Sequence, residues 1–168
     1  MRGGTIGGRG GMYKLKNTDC DMIKKYAYVI GIDTGVDTGV ATWNVAARKF
    51  ELIKTTAIHK AMMYVQQMYE MHGGSILVRV EDPRLRKWFQ SNYKSRDEER
   101  KMLQGVGSVK RDAHIWDDFL KDAGIPYEMT HPKDSKTKLN ALSFSRLTKY
   151  EKRTSEHSRD AAMLVFGY

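Results

Sequence analysis

Four side chains that can bind a metal ion stand at predicted element ends, far apart in the chain. Asp33 closes the apolar run YAYVIGID, and Glu81 closes a second apolar run, SILVRVE. His157 and Asp160 are three residues apart, a spacing that places both on one face of a helix. Carboxylates that converge on a pair of divalent ions perform metal-dependent phosphodiester hydrolysis. Magnesium or manganese is the ion expected at such an oxygen-rich site.

Each of these residues also has a purely structural interpretation. Asp33 can simply begin the turn TGVDTG, and Glu81 can be an ordinary acid at a strand end. Glu70, on the preceding helix, competes with Glu81 for the same role. His157 and Asp160 can belong to an exposed capping segment. A phosphate-binding P-loop after the first strand is disfavoured, because no lysine follows its glycines. The order of the three motifs, taken together, favours the metal site.

The spacing of apolar and turn-forming residues predicts the elements that must position these side chains. The predicted elements are strands over 26–33, 40–45 and 50–58, a helix over 59–71, a strand over 75–81, a helix capped by Ser108 and ending at Ala123, a strand over 125–130, and helices over 138–148 and 155–166. Residues 82–104 show no clear period. A three-strand meander followed by alternating helices and strands predicts an α/β protein with a mixed five-stranded sheet and helices on both faces.

Composition indicates one domain preceded by a flexible tail. Residues 1–23 begin MRGGTIGGRGG, which is too glycine-rich to pack, so the domain is assigned to 24–168. The single cysteine, Cys20, excludes an internal disulfide and a cysteine-built zinc site, and it favours a reducing compartment such as the cytoplasm. No apolar run reaches the roughly 20 residues of a membrane helix, and the N-terminus lacks a signal-peptide core. Neither membrane insertion nor secretion is expected.

The net charge of +9 and the pI near 9.6 indicate a polyanionic partner, most simply nucleic acid. Basic residues concentrate at 84–101 and 133–153. Aromatic residues within the first basic segment have the composition of a stacking platform for unpaired bases, although core packing or a dimer contact is the alternative. A solvated loop is the alternative for the lysines. The candidate nucleic-acid contacts are Arg84, Arg86, Lys87, Trp88, Phe89, Tyr93, Lys133, Lys136 and Lys138.

These motifs together resemble the RuvC-type Holliday-junction resolvases of the ribonuclease H-like nuclease superfamily. The matching segments are GIDTGVDTG, VRVE, GVGS at the start of the long helix and HSRDAAMLV, and the resemblance spans residues 26–168. It implies a ribonuclease H-like fold in which Asp33, Glu81, His157 and Asp160 hold the metal ions. Many members have aspartate where this chain has His157. Ribonuclease H itself has its acid on the first helix, so Glu81 fits the resolvase arrangement, whereas Glu70 would fit the other.

The function implied by the resemblance is a structure-selective endonuclease that resolves Holliday junctions or other branched DNA by two-metal-ion hydrolysis, in recombination and repair. Lys133, Lys136 or Lys138, after the fifth strand, would neutralise the scissile phosphate. A homodimer is expected, with an interface on the long helix that includes Ile115, Trp116 and Phe119. One alternative is a nuclease of the same fold that cuts RNA or RNA–DNA hybrid. Another is a non-catalytic nucleic-acid-binding protein on the same scaffold.

Overall fold

The computed structural model describes residues 26–86, 95–132 and 138–168. Within these ranges the elements are β1 (Tyr28–Asp33), β2 (Asp37–Asn44), β3 (Lys49–Ala57), α1 (Ile58–His72), β4 (Ile76–Glu81), α2 (Arg96–Asp122), β5 (Tyr127–Thr130), α3 (Ala141–Thr148) and α4 (Glu156–Met163), with single 3-10 turns at Gly73–Ser75 and Pro83–Leu85. The predicted tail, 1–23, lies outside the described residues. None of these helices is both long and apolar enough to span a membrane.

The strands form one sheet in the order β3-β2-β1-β4-β5. The first three strands pair antiparallel as a meander, whereas β4 pairs parallel with β1 and β5 pairs parallel with β4. Parallel neighbours require crossover connections, and α1 and α2 make them. This arrangement confirms the predicted fold class, an α/β protein with a mixed five-stranded sheet.

Both faces of the sheet are covered, which explains why β1 is apolar up to Asp33, its last residue. Ile30 and Ile32 pack on one face with residues of α1 and α2, including Val65 and Trp116. Val29 packs on the other face, in the cluster that contains Phe144 of α3 and Ala161, Ala162 and Met163 of α4. Alternate residues of a strand point to opposite faces, so a strand buried on both sides has no polar positions in its interior. The prediction of helices on both faces is confirmed.

Two glycines allow α4 to lie directly on β1 and β2. A Cβ atom at Gly31 would stand 2.1 Å from the carbonyl oxygen of Ala161, and one at Gly39 would stand 2.0 Å from the carbonyl oxygen of His157. Real Cβ atoms do not approach backbone this closely, so any larger residue would displace the helix. Gly39 is also the partner of Asp33 in the β1–β2 ladder. The first turn of α4 therefore lies beside the carboxyl end of β1.

Helix α2 begins twelve residues before the predicted cap at Ser108, at Arg96, and that part of the prediction is wrong. Ser95 is the N-cap, because its side chain accepts a hydrogen bond from the Glu98 N–H, and three acidic residues follow in the first turn. Ser108 lies inside the helix, within the GVGS motif. Interior glycines weaken a helix by about 1 kcal/mol each but do not end one that is well capped. The ends of the other predicted elements lie within three residues of the observed ends.

Helix α2 packs on the sheet only through its second half. Its buried residues are Asp112, Ala113, Trp116 and Leu120. Trp116 is fully buried in the core, so its predicted place in a dimer interface is wrong: an apolar residue at helical spacing can serve the core or a surface equally well. Ile115 is exposed and Phe119 is partly buried. A homodimer stays a prediction.

We predict that Gly39→Ala lowers the free energy of unfolding by about 2 kcal/mol or more, because the new methyl group forces α4 away from the sheet. Gly107→Ala is the matched control: nothing lies within 4 Å of a Cβ there, and alanine is the better helix former by about 1 kcal/mol. Thermal unfolding followed by circular dichroism compares the two. A Gly39→Ala protein as stable as wild type would contradict the close packing of α4.

Candidate active site

The two strand-end acids meet because β1 and β4 are parallel neighbours. Ile32 pairs with Val80, the residues just before Asp33 and Glu81, so both acids end their strands at the same edge of the sheet. The two carboxyls share a hydrogen bond. The Thr34 hydroxyl donates to the backbone carbonyl of Glu81 at 3.2 Å and ties the two strand ends together. Open α/β sheets place their sites at this carboxyl edge.

Helix α4 brings the remaining two predicted residues to the same place. Its first turn is fixed by a capping box: the Ser158 N–H donates to Ser155 Oγ at 3.1 Å, and the Ser155 N–H donates to Ser158 Oγ at 3.0 Å. His157 Nδ1 then lies 2.9 Å from Asp33 Oδ2. Asp160 is 9% exposed, and its charge acts on Asp33 and on Glu81. The four residues singled out in the sequence therefore converge.

The acids perturb each other because they are crowded and largely buried. Burial, together with the hydrogen bond to Asp33 and the negative charges of Asp33 and Asp160, raises the pKa of Glu81 to about 7. Burial also raises the pKa of Asp33, against the opposing effects of its hydrogen bonds to Glu81 and His157. Both carboxyls therefore hold a proton more tightly than exposed carboxyls do. Such a cluster favours an added positive charge.

The donor set matches a divalent cation in chemistry. Three carboxylates supply hard oxygen ligands suited to magnesium or manganese, and an imidazole nitrogen is accepted more readily by manganese. Over 26–86, 95–132 and 138–168, no three histidine or acidic side chains stand in a metal-ligating arrangement. Asp33 forms hydrogen bonds with Glu81 and His157, and Asp160 forms an ion pair with Lys138. Metal binding would exchange these mutual bonds for bonds to the ion.

A lysine from the predicted basic loop reaches the acid cluster. Lys138 Nζ lies 3.1 Å from Asp160 Oδ2 and 3.3 Å from Glu156 Oε1. The hydrogen bond to Asp160 is the largest cause that raises the pKa of this lysine, so it is cationic at neutral pH. Lys133 and Lys136, the other lysines proposed for the scissile phosphate, lie outside the described residues.

The acid cluster opens into a cavity of about 370 Å³. Asp33, Glu81 and His157 line it together with the basic residues Arg86 and Lys138. A further wall, which the sequence analysis did not identify, comes from the first half of α2 and comprises Lys101, Met102, Gly105, Val106 and Val109. The sequence pattern could have identified this wall, because Met102, Val106 and Val109 continue the heptad spacing of Ala113, Trp116 and Leu120. It was missed because the helix was predicted to begin only at 108.

Arg84, a predicted nucleic-acid contact, is part of an internal ion-pair network. Its guanidinium donates to both oxygens of Asp82, which is 1% exposed, at 2.7–3.0 Å, and to Asp117 Oδ2 at 2.9 Å. The Tyr127 hydroxyl donates to Asp117 Oδ1 at 2.7 Å. Hydrogen bonds from Tyr127 and Arg84 lower the pKa of Asp117. The network links the segment after Glu81 to α2 and β5, so a phosphate at Arg84 would compete with two carboxylates.

The remaining predicted residues have different outcomes. Arg86 is exposed and lines the cavity, as a nucleic-acid contact requires. Glu70, the rival of Glu81, is exposed on α1, accepts a hydrogen bond from Gln66 and is not among the cavity-lining residues. The structure thus favours the arrangement with the acid on the fourth strand. The predicted contacts that lie outside the described residues are Lys87, Trp88, Phe89 and Tyr93.

Comparison with known proteins finds similarity in structure but none in sequence. No protein-family model matches the chain, and no curated protein matches it in sequence. Among solved structures, the chain is similar to T. thermophilus RuvC in complex with a Holliday junction substrate, with 17% sequence identity and a TM-score of 0.47, over 82% of this chain and 89% of that chain. At this level of similarity, no residue's role passes from that protein to this chain.

We predict that Arg84→Ala lowers the free energy of unfolding by about 3 kcal/mol, because it leaves the buried carboxylate of Asp82 without its cation. Arg86→Ala is the control, since Arg86 is an exposed neighbour of the same type. Urea unfolding of both variants measures the difference. Equal stability of the two proteins would show that the Arg84 network contributes nothing to the fold.

The raised pKa of Glu81 predicts how the metal-free protein responds to pH. A carboxyl whose pKa is higher in the folded state contributes stability that is complete below its unfolded value, near 4.5, and is lost as pH rises through about 7. The melting temperature in EDTA should therefore fall between pH 5 and pH 8. Glu81→Gln should remove much of that fall, whereas Glu70→Gln should leave it unchanged. An unaltered pH profile in Glu81→Gln would contradict the coupling between the two strand-end acids.

Proposed function

We propose that this protein is a metal-dependent endonuclease that cuts branched DNA, including four-way Holliday junctions. One observation carries the proposal: Asp33 and Glu81, at the ends of two parallel strands, meet His157 and Asp160 from α4 beside a cavity with basic residues. Crowding of acids costs stability, so it is expected where the acids serve a reaction. The resemblance of the sequence motifs to resolvases supports branched DNA as the substrate.

Asp33, Glu81, Asp160 and His157 would hold magnesium or manganese ions. Ions bound there would activate a water molecule for attack on the phosphodiester and stabilise the leaving oxygen. The carboxylates supply the negative charge that holds the ions. A metal-bound imidazole is neutral, so this site would have one negative charge fewer than a site with four carboxylates. We therefore propose that manganese serves at least as well as magnesium.

The protein's own groups have further roles in this mechanism. When His157 Nδ1–H donates to Asp33 Oδ2, the lone pair of the ring is at Nε2. In that tautomer, the hydrogen bond to Asp33 would fix the orientation of the ring. Lys138, which lies against Asp160 at the cavity, would balance the charge of a bound phosphate. Lys133 and Lys136 are proposed for the same role from the sequence.

Electrostatics and symmetry extend the proposal to the whole substrate. The net charge of +9, with Arg86, Lys101 and Lys138 at the cavity, attracts a nucleic-acid backbone. A homodimer with two-fold symmetry would present two equivalent sites to two opposed strands of a junction. We propose this dimer as the active species, with the exposed Ile115 as a starting point for locating its interface.

The central test measures cleavage by the wild type, Asp33→Asn and Asp160→Asn on one panel of substrates, with magnesium or manganese. The panel contains a four-way junction, linear duplex DNA, RNA–DNA hybrid and structured RNA. Wild type should cut the junction most rapidly. Both variants should lose at least 100-fold in rate while binding the junction as tightly as wild type or tighter, because an amide keeps the shape of a carboxylate without its charge or its metal affinity.

The panel separates the alternatives. Glu156→Gln is the control, because Glu156 is an exposed acid on the same helix that contacts the same lysine as Asp160. Rapid cleavage of hybrid or RNA, with the junction left intact, would favour the second type of nuclease. Binding without metal-dependent cleavage of any substrate would favour a non-catalytic binding protein. Full activity in Asp33→Asn or Asp160→Asn would remove that residue from the mechanism.

A further inference from the structure

Helix α2 carries one continuous apolar stripe in two different environments. Its members recur at heptad spacing and are Met102, Val106, Val109, Ala113, Trp116 and Leu120. The last three are fully buried in the core. The first three continue the same side of the helix past the packed region, where Met102 is 48% exposed and Val106 and Val109 are partly exposed. These three residues form the apolar wall of the cavity that also contains Asp33 and Glu81.

An apolar wall beside a phosphodiester-cleaving centre calls for a partner of matching chemistry. Phosphate and sugar are polar and gain nothing from contact with methionine and valine. A nucleobase has apolar faces that bind to such side chains, whereas its attached phosphate suits the cations Arg86, Lys101 and Lys138 on the same cavity. The combination of an apolar wall, three cations and an acid cluster fits one nucleotide.

We infer that the cavity receives an unpaired base of the strand being cut, held against Met102, Val106 and Val109. The inference deepens the proposed nuclease function and rests on it. A volume of about 370 Å³ is at the lower end of the roughly 300–1,000 Å³ typical of small-ligand pockets, which suits one nucleotide and not a stacked base pair. A base inside a continuous duplex must leave its stack to enter. Extrusion costs least where the base is mismatched or already single-stranded, as at a branch point.

The consequence is a form of substrate selection that acts at the cut itself. The enzyme would prefer branched DNA because a branch supplies an unpaired base next to the scissile phosphate. This preference adds to any recognition of the overall shape of a junction. It also makes Met102, which lies far in sequence from the acid cluster, a specificity-determining residue.

The experiment compares junctions that differ at a single nucleotide. After the cleavage position is mapped, an abasic site replaces the nucleotide on either side of the scissile phosphate in turn. For wild type, one of the two replacements should lower kcat/KM roughly tenfold, as the loss of one stacked base does in other proteins. Met102→Ala should lower kcat/KM on the intact junction. On the abasic junction, Met102→Ala and wild type should have the same kcat/KM. Alanine is a strong helix former, so this variant should fold.

Met63→Ala is the matched control, because Met63 is another exposed methionine on a helix, 62% exposed on α1. It should respond to the abasic site as wild type does. A second measurement does not depend on cleavage: 2-aminopurine at the same nucleotide, in a junction bound to Asp160→Asn, should brighten as the base leaves its stack. Met102→Ala in that background should reduce the change.

The outcomes separate this inference from the proposed function. Junction cleavage with equal rates on intact and abasic substrates, and no change in 2-aminopurine emission, would overturn the base-binding cavity and leave the nuclease proposal standing. If no substrate is cut, 2-aminopurine is placed at the branch point instead. A response there that Met102→Ala reduces would overturn the nuclease and support the cavity. Absence of both would overturn both. Loss of the abasic effect in Met63→Ala as well as in Met102→Ala would also count against the cavity.

Discussion

The contact of α4 with the glycines of β1 and β2 is the constraint on which the site depends. Because Gly31 and Gly39 have no side chains, the backbone of the helix comes close enough for His157 to reach Asp33 at 2.9 Å. Helices normally pack on sheets through a layer of side chains, which would hold the first turn several ångströms farther out. The capping box at Ser155 then sets where the helix begins. A site of four residues is thus assembled from two strand ends and one helix start.

The same assembly brings three acids close together, and nearby cations offset their mutual repulsion only in part. Asp33, Glu81 and Asp160 are crowded at one edge of the sheet, and the nearby cations are Lys138 and Arg86. Next to Glu81 in the chain, the buried Asp82 is paired with Arg84, at distances below 3.1 Å. The two adjacent acids therefore lie in opposite environments. Asp82 forms an ion pair that stabilises the fold, whereas burial and neighbouring acids raise the pKa of Glu81 to about 7.

The sequence predicted what local pattern determines. Apolar runs located β1 and β4, and the i,i+3 spacing placed His157 and Asp160 on one face of α4. The fold class and the meeting of the four residues could therefore be predicted. It did not predict the start of α2, because two glycines near Ser108 resemble a helix boundary, and only tertiary context shows that the Ser95 cap prevails. It assigned Arg84 to nucleic acid because a basic residue in a basic segment gives no sign of its partners. The pairing of Arg84 with Asp82 and Asp117 depends on β4, α2 and β5 coming together.

The position of α4 at the end of the chain determines when the acid cluster can form during folding. Asp33 and His157 are separated by 124 residues, and their contact forms only when the last helix docks on a sheet made from the first strands. Contacts between distant parts of a chain form late and slow the folding of a domain. On the ribosome, β1 and β4 emerge and can pair well before α4 is synthesised, so a nascent chain holds only half of its acid cluster. The complete acid cluster therefore forms only when the folding of the domain is finished.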